Sequence, residues 1–417
     1  MTTPHPHVTP YLTGGIPGGP ATTARPVPRP TPDWAPPPVL RAAPCALLCR
    51  HTGPGLASVR LVGGPERLLD GAGGACATGD TDRTDRTDRT DRTDRTDRTG
   101  RAGAPGGLGW ELEALGAAVR TSPGLLALDL PGENLRAALD TLAHAAAAPP
   151  LPGGRPAAPG ERGDAATARH RLLTALCGES HVGALVVVTG EGDAVNGHDL
   201  AGYATALGLC EPPLPPPPPR FPPTPARVHV RRDGSAPVRL AVGYGVPGRS
   251  RTVEWAALTV AARVLGGGLA ARLNRLLREE KGVTYGFTCT LEPVNGAGVL
   301  LVEGTVQAEA AQAALGDVLS VLRGPASDGI GAAECAGAVR AELGGAWTRY
   351  ETAAALADEL ASLAAEGLGP EQLVRHRQAV RGLDAATLSA VLTRELGRSE
   401  PTVIAAGGGT LAGLTTA

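Results

Sequence analysis

The spacing of apolar and polar positions changes several times along the chain, and each change predicts an element. From Val39 to Gly64, the runs VLRAAPCALLCR and LASVRLVGG flank HTGPG, which predicts a β-hairpin. LGWELEALGAAV (108–119) predicts a short helix and GLLALDL (124–130) a strand. In ENLRAALDTLAHA, Leu135, Leu139 and Leu142 recur on one helical face. A helix is expected over 165–177 and another over about 198–209. Between them GALVVVTG (183–190) is an unbroken apolar run ending in Gly, a buried strand by length and β-branching.

The second half repeats this grammar. Strands VHVRR and PVRLAVGYG precede a long helical pattern from about Thr252 to Glu280. Leu269, Leu273, Leu276 and Leu277 form one stripe of that pattern, and Arg272, Arg275 and Arg278 form another. YGFTCTLEP and GVLLVEGTV around Asn295-Gly296 predict a hairpin. Helices follow over about 307–323, 331–346, 349–366, 370–381 and 384–397, and TVIAAGG is a final strand. Each half opens with strands, runs through amphipathic helices and ends in an apolar strand stopping at Gly. The expected fold class is α+β, as two homologous domains, each an antiparallel sheet covered by helices. The first copy is shorter and more degenerate.

Three segments fit no period. Residues 1–38 are rich in Pro, Thr and Gly and read as a disordered leader. Residues 81–98 are six tandem Thr-Asp-Arg units in which Asp cancels Arg and nothing apolar is left to bury, so a solvated low-complexity insert is expected. EPPLPPPPPRFPPTP (211–225) is restricted by its prolines to an extended spacer. The expected organisation is therefore 1–38 leader, 39–210 first domain with the insert at 81–98, 211–226 linker and 227–417 second domain.

Composition narrows the function. Apolar residues make up 42% of the chain but aromatics only 3%, so the core must be built from Ala, Val and Leu. The formal net charge of −2 gives no basic field for nucleic acid or an anionic membrane. No apolar run approaches a membrane span, and the N-terminal residues lack the charged and apolar regions of a secretory signal. The seven cysteines form no CxxC pair, which fits reduced thiols and a cytoplasmic location.

Hydrolytic zinc needs about three protein ligands, commonly two histidines one helical turn apart, with a Glu to handle the water proton. None of the nine histidines has another four residues away, and neither HExxH nor HxxEH occurs. There is no GxSxG elbow and no GxxxxGK[ST] loop. GGGL (266–269) reads as a break in the helix rather than an anion cradle, and TGEGDAVNG (189–197) as a strand-to-helix turn.

The informative stretch is 266–298. Arg278 lies near the end of the helical pattern, and Lys281-Gly282 provides a cation and a left-handed cap. Tyr285 opens a strand, with Phe287, Cys289 and Leu291 expected on its face. A helix-end Arg and a strand-start Tyr offer a fork of N–H donors and a phenolic O–H, suited to a peptide carbonyl or a developing oxyanion. The same residues also read as a dipole-capping Arg and a core Tyr.

LNRLLREEKGVTYGFTCTLEPVNGAGVLLVEGTV resembles the C-terminal domain of the pitrilysin/insulinase family of zinc peptidases. The family's signature there is an S-R-L-like turn followed by L-R-E-K-x-G-x-x-Y; this chain has Ala271-Arg272-Leu273, then Leu277-Arg278-Glu279-Glu280-Lys281-Gly282-Val283-Thr284-Tyr285, and the Arg-to-Tyr interval of seven residues matches. The resemblance covers most of 227–417 and, more weakly, the first half. It implies that Arg278 and Tyr285 bind the substrate backbone near the scissile bond. The family's H-x-x-E-H would fall between about Gly64 and Trp110, where this chain carries the Thr-Asp-Arg repeat and no histidine. The resemblance therefore implies a zinc-less subunit with no metal or catalytic residue of its own. It would act as the substrate-binding half of a heterodimer whose HxxEH-bearing partner supplies the zinc. Two other readings are an inert scaffold paralogue and an independent small-molecule binder using the TGEGD turn.

Overall fold

The computed structural model describes residues 37–43, 45–51, 55–63, 107–122, 125–148, 184–190, 195–209, 225–231, 237–294, 296–397, 400–409 and 411–416. All lie within one compact unit, Trp34–Ala417. The expected leader up to residue 36, the Thr-Asp-Arg insert, the helix over 165–177 and the Pro-rich spacer up to residue 224 fall outside the described residues.

The first sheet contains β1 (Val39–Ala43), β2 (Ala46–Arg50), β3 (Leu56–Val62), β4 (Ala118–Ser122), β5 (Leu125–Pro131) and β6 (Ala184–Thr189), in the order β1-β2-β6-β3-β5-β4. The second contains β7 (Arg227–Arg231), β8 (Pro237–Pro247), β9 (Thr284–Val294), β10 (Ala297–Gln307), β11 (Thr402–Gly407) and β12 (Thr415–Thr416), in the order β12-β7-β11-β8-β10-β9. The inner order repeats: β2-β6-β3-β5-β4 corresponds to β7-β11-β8-β10-β9. The sheets are mainly antiparallel, but β2 runs parallel to β6, and β7 parallel to β11 and β12. In each half a late, wholly buried strand has been inserted beside an early one.

That insertion corrects the hairpin expected around HTGPG. β2 and β3 are not neighbours; β6 lies between them and pairs with both. Every residue of β6 (ALVVVT) is buried, so this run takes the centre of the sheet, where both faces and both edges are covered. VLRAA and ALLCR form their own hairpin instead, as β1 and β2.

Helices α1 (Leu108–Ala114), α2 (Leu135–Ala147) and α3 (Gly197–Ala206) cover one face of the first sheet. Leu135, Leu139 and Leu142 of α2 are all fully buried there, each contributing about 1.5–3 kcal/mol of apolar burial. Asn196 caps α3 reciprocally with Asp199. The second half contains α4 (Thr252–Gly266), α5 (Arg272–Asn274, continued as a π-helical turn over Arg275–Glu280), α6 (Ala311–Asp328), α7 (Ala332–Arg349), α8 (Ala353–Ala365), α9 (Glu371–Arg381) and α10 (Ala385–Leu396). α4, α6 and α10 form the principal core with β8 and β10. α8 does something else: Leu356, Leu360 and Leu363 pack on Leu47, Cys49, Val186 and Val188, the opposite face of the first sheet.

The long helix expected from Thr252 to Glu280 is broken. α4 stops at Gly266, at the GGGL break, and β9 passes so close there that a Cβ would lie 2.6 Å from the Cys289 backbone nitrogen. Leu269 consequently leaves the predicted stripe and is 65% exposed, while Leu273 and Leu277 remain buried.

Candidate functional site

The site is built where α5 ends and β9 begins. The last turn of α5 widens to π-helical geometry, with the Lys281 N–H donating to the Leu276 carbonyl at 3.0 Å. Such widened turns are often found at functional sites. Gly282 closes the turn at φ 64°, the left-handed cap that the sequence predicts.

The arginine stripe separates into distinct environments. Arg272 clamps Glu334 through Nε at 2.9 Å and Nη2 at 2.7 Å, and Nη2 also donates to the Gly329 carbonyl at 3.0 Å. Arg275 lies 3.7 Å from Glu280, and Lys281 donates to Asp317 at 2.6 Å. Arg278 is exposed, and among the described residues no carboxylate lies within ion-pair distance of it.

Tyr285 is the second residue of β9. The expected alternation holds for Phe287 and Cys289, which are buried, and for Leu291, which packs against the same core. It fails for Tyr285, which is 98% exposed. A β-bulge is the reason. Thr284 faces Val306 and Phe287 faces Gly304, so Tyr285 and Gly286 share the single position opposite Thr305. The bulge is pinned by Thr284, whose Oγ1 donates to the Thr305 carbonyl at 2.7 Å and receives the Gly286 N–H at 3.1 Å. The core-tyrosine reading is thereby overturned.

The structure thus places Arg278 and Tyr285 on either side of one short connection, both open to solvent. No hydrogen bond joins them. What links their two elements is Asn274, a residue the sequence reading did not single out. Its side chain bonds both backbone groups of Phe287 and the Gly268 carbonyl.

A second polar centre also escaped the sequence. A cleft of about 470 Å³ lies between α4, β9, α7, α8 and α9. Beside it Glu342 is shared by Arg263 (2.6 Å) and Arg349 (2.9 Å), and Arg249 pairs with Glu359 at 3.1 Å. Glu366 lies 3.3 Å from Arg249 but out of line for a hydrogen bond, and burial pushes its carboxyl up to about 7. Burial pushes His376 the other way, down to about 4. These partners are scattered from 249 to 376, so no local motif announces them. Positive and negative groups offset one another, as expected of an internal ion network.

Among the described residues, the donors present do not fit zinc. Among the described residues no group of three His, Cys, Asp or Glu side chains converges, and the sequence carries no HxxEH. The four cysteines described are buried thiols, with Cys49 pushed up to about 12 by burial. Among the described residues no helix is long and apolar enough to cross a membrane.

The fold is two repeated sheet-and-helix assemblies, with an Arg and a Tyr presented at the edge of the second. Residues 184–342 match the family model described as the peptidase M16 inactive domain. A protein called an uncharacterized zinc protease from Mycobacterium tuberculosis is 34% identical over 106 residues, which are 25% of this chain and 24% of that protein. One from Mycobacterium leprae is 35% identical over 115 residues, 27% of this chain and 24% of that protein. The match thus spans about a quarter of the length of these curated relatives. Among solved structures, a peptidase M16 inactive domain from Pseudomonas fluorescens superposes with TM-score 0.64 at 16% identity, covering 91% of this chain and 98% of that one. A protease from Helicobacter pylori superposes with TM-score 0.59 at 15% identity, covering 87% and 96%. These matches support a pitrilysin/insulinase-family member, and the fold is that of the M16 inactive domain.

Proposed function

We propose that this chain is a non-catalytic, substrate-binding subunit of a two-chain zinc metallopeptidase. Arg278 and Tyr285 grip the backbone of a peptide held at the zinc of an HxxEH-bearing partner. The observation that carries this reading is the exposure of Tyr285. A bulge costs the strand a regular pair, yet here it turns a large aromatic side chain 98% into solvent, where it buries nothing for its own fold. Arg278, exposed and with no carboxylate in ion-pair distance among the described residues, stands across the connection from it. A guanidinium and a phenol so placed donate hydrogen bonds to peptide carbonyls, and a charged donor is the stronger of the two. The chain's own part is binding and orientation. Water activation belongs to the partner.

The test is co-purification of the tagged chain, followed by peptide cleavage assays on the assembly. A companion of similar size carrying HxxEH, and loss of cleavage in Arg278→Ala with assembly intact, are the expected results. Wild-type cleavage by that variant would remove the role.

A further inference from the structure

The side chain of Asn274 is only 5% exposed and forms three hydrogen bonds. Its Oδ1 receives the Phe287 N–H at 2.8 Å. Its Nδ2 donates to the Phe287 carbonyl at 3.0 Å and to the Gly268 carbonyl at 2.9 Å. Both amide hydrogens are thus placed, and one carboxamide oxygen lone pair is engaged. β9 is the edge strand of its sheet, and Phe287 turns its backbone groups away from β10. Asn274 meets them as a neighbouring strand would.

This amide joins three segments. One is the loop after α4, held at Gly268. The second is α5, which runs directly from Asn274 into the turn that carries Arg278. The third is β9, held two residues beyond Tyr285. The covalent path between Arg278 and Tyr285 does not itself fix their spacing. It passes through Gly282 at φ 64°, where the Val283 N–H donates to the Leu277 carbonyl at 3.0 Å, and enters the bulge that Thr284 pins on β10; beyond these, the Asn274 side chain ties α5 to β9.

We infer that Asn274 is a positioning residue for the substrate-binding pair: its carboxamide sets the distance between Arg278 and Tyr285 by locking α5 to the start of β9. The inference rests on the proposed role of that pair. It separates a fold-stabilising asparagine from one that acts through the site, because the two differ in coupling.

The experiment is a double-mutant cycle on the full chain, reading anisotropy of fluorescein-labelled tryptic casein peptides and, in parallel, thermal midpoint and amide exchange at Phe287. Arg278→Ala is expected to weaken binding about tenfold, the worth of one charge-assisted hydrogen bond. Asn274→Ala is expected to weaken it comparably, while the double variant binds no more weakly than Arg278→Ala alone. Asn274→Asp keeps the size and the acceptor but sets an anion against two carbonyls. It is expected to reproduce the binding loss and serves if the alanine variant does not fold. Additive losses in the cycle, or faster Phe287 exchange with unchanged binding, would reduce Asn274 to a structural residue. Unchanged binding in Arg278→Ala itself would instead overturn the role of the pair, and the positioning role with it.

Discussion

Arg60 on β3 is hydrogen-bonded to Asp358 on α8, a residue 298 positions further along the chain. The arginine side chain is fully buried and also reaches Asp129 at 2.9 Å and the carbonyls of Val59, Leu128 and Ala354. It is the pin by which a helix of the second half is held against the sheet of the first. Arg60→Ala removes a buried cation and leaves a cavity, and is expected to cost about 3–5 kcal/mol. Asp358→Ala is expected to cost only about 1 kcal/mol, because Asp358 is 45% exposed and Arg60 keeps Asp129. Urea midpoints of the two variants check the ordering.

The same pin gives an acid sensitivity. Burial alone would raise the Asp129 carboxyl, but the Arg60 charge and its hydrogen bonds hold it below the usual carboxylate value. A depressed acid contributes stability that is present above the unfolded value, and this stability is lost as pH falls through the folded one. Asp129→Asn is expected to be less stable than wild type near neutrality and to converge with it below about pH 4. Parallel melting curves across that range would expose the idea as wrong.

Two buried groups in and beside the cleft titrate in opposite directions. Glu366, raised to about 7, makes stability fall as pH climbs from its unfolded value toward 7. His376, lowered to about 4, makes stability rise from pH 4 toward its unfolded value near 6.5. Over much of that range the two offset one another. Glu366→Gln is expected to unmask the histidine as stability that rises with pH, and His376→Gln the glutamate as stability that falls. Thermal midpoints between pH 4.5 and 7.5 decide it, and identical profiles for all three proteins would refute the assignment.

Close packing makes Gly266 a sensitive position. Alanine usually stabilises a helix by about 1 kcal/mol relative to glycine. Here its methyl would lie 2.6 Å from the Cys289 nitrogen and 2.8 Å from the Cys289 Cβ, so backbone must shift. Gly266→Ala is expected to destabilise by about 1–3 kcal/mol. A gain in thermal midpoint would show that α4 and β9 are further apart than described.

Much of this was legible in the sequence because it rests on local period. The leucines of α2 and the apolar run of β6 are where their spacing places them, and the repeated order of elements predicts the repeated sheet. What escaped depended on distance or on one extra residue. Nothing local tells β6 to enter between β2 and β3, or α8 to cross to the first sheet. The break at GGGL is legible in its glycines, but the strand that passes close behind Gly266 is not. The site pair was found through a motif, but the bulge at Tyr285 shifts the face by one residue, which alternation cannot foresee. Arg60 and Asn274 gave no signal, since their partners lie far along the chain or on backbone atoms.

The exposure contrast along β9 isolates the central claim. Phe287→Ala empties a buried aromatic site and is expected to cost about 3–5 kcal/mol. Tyr285→Ala, at 98% exposure, is expected to change stability by no more than about 0.5 kcal/mol. Its side chain can then be removed without confusing folding with function. The direct measurement is peptide cleavage by the assembled two-chain complex carrying Arg278→Ala and Tyr285→Phe, with assembly checked by size-exclusion chromatography. A fall in kcat/KM of about tenfold or more with the complex intact is the predicted result. Cleavage at the wild-type rate would show that the pair grips nothing, and would leave this chain an inert scaffold of its family.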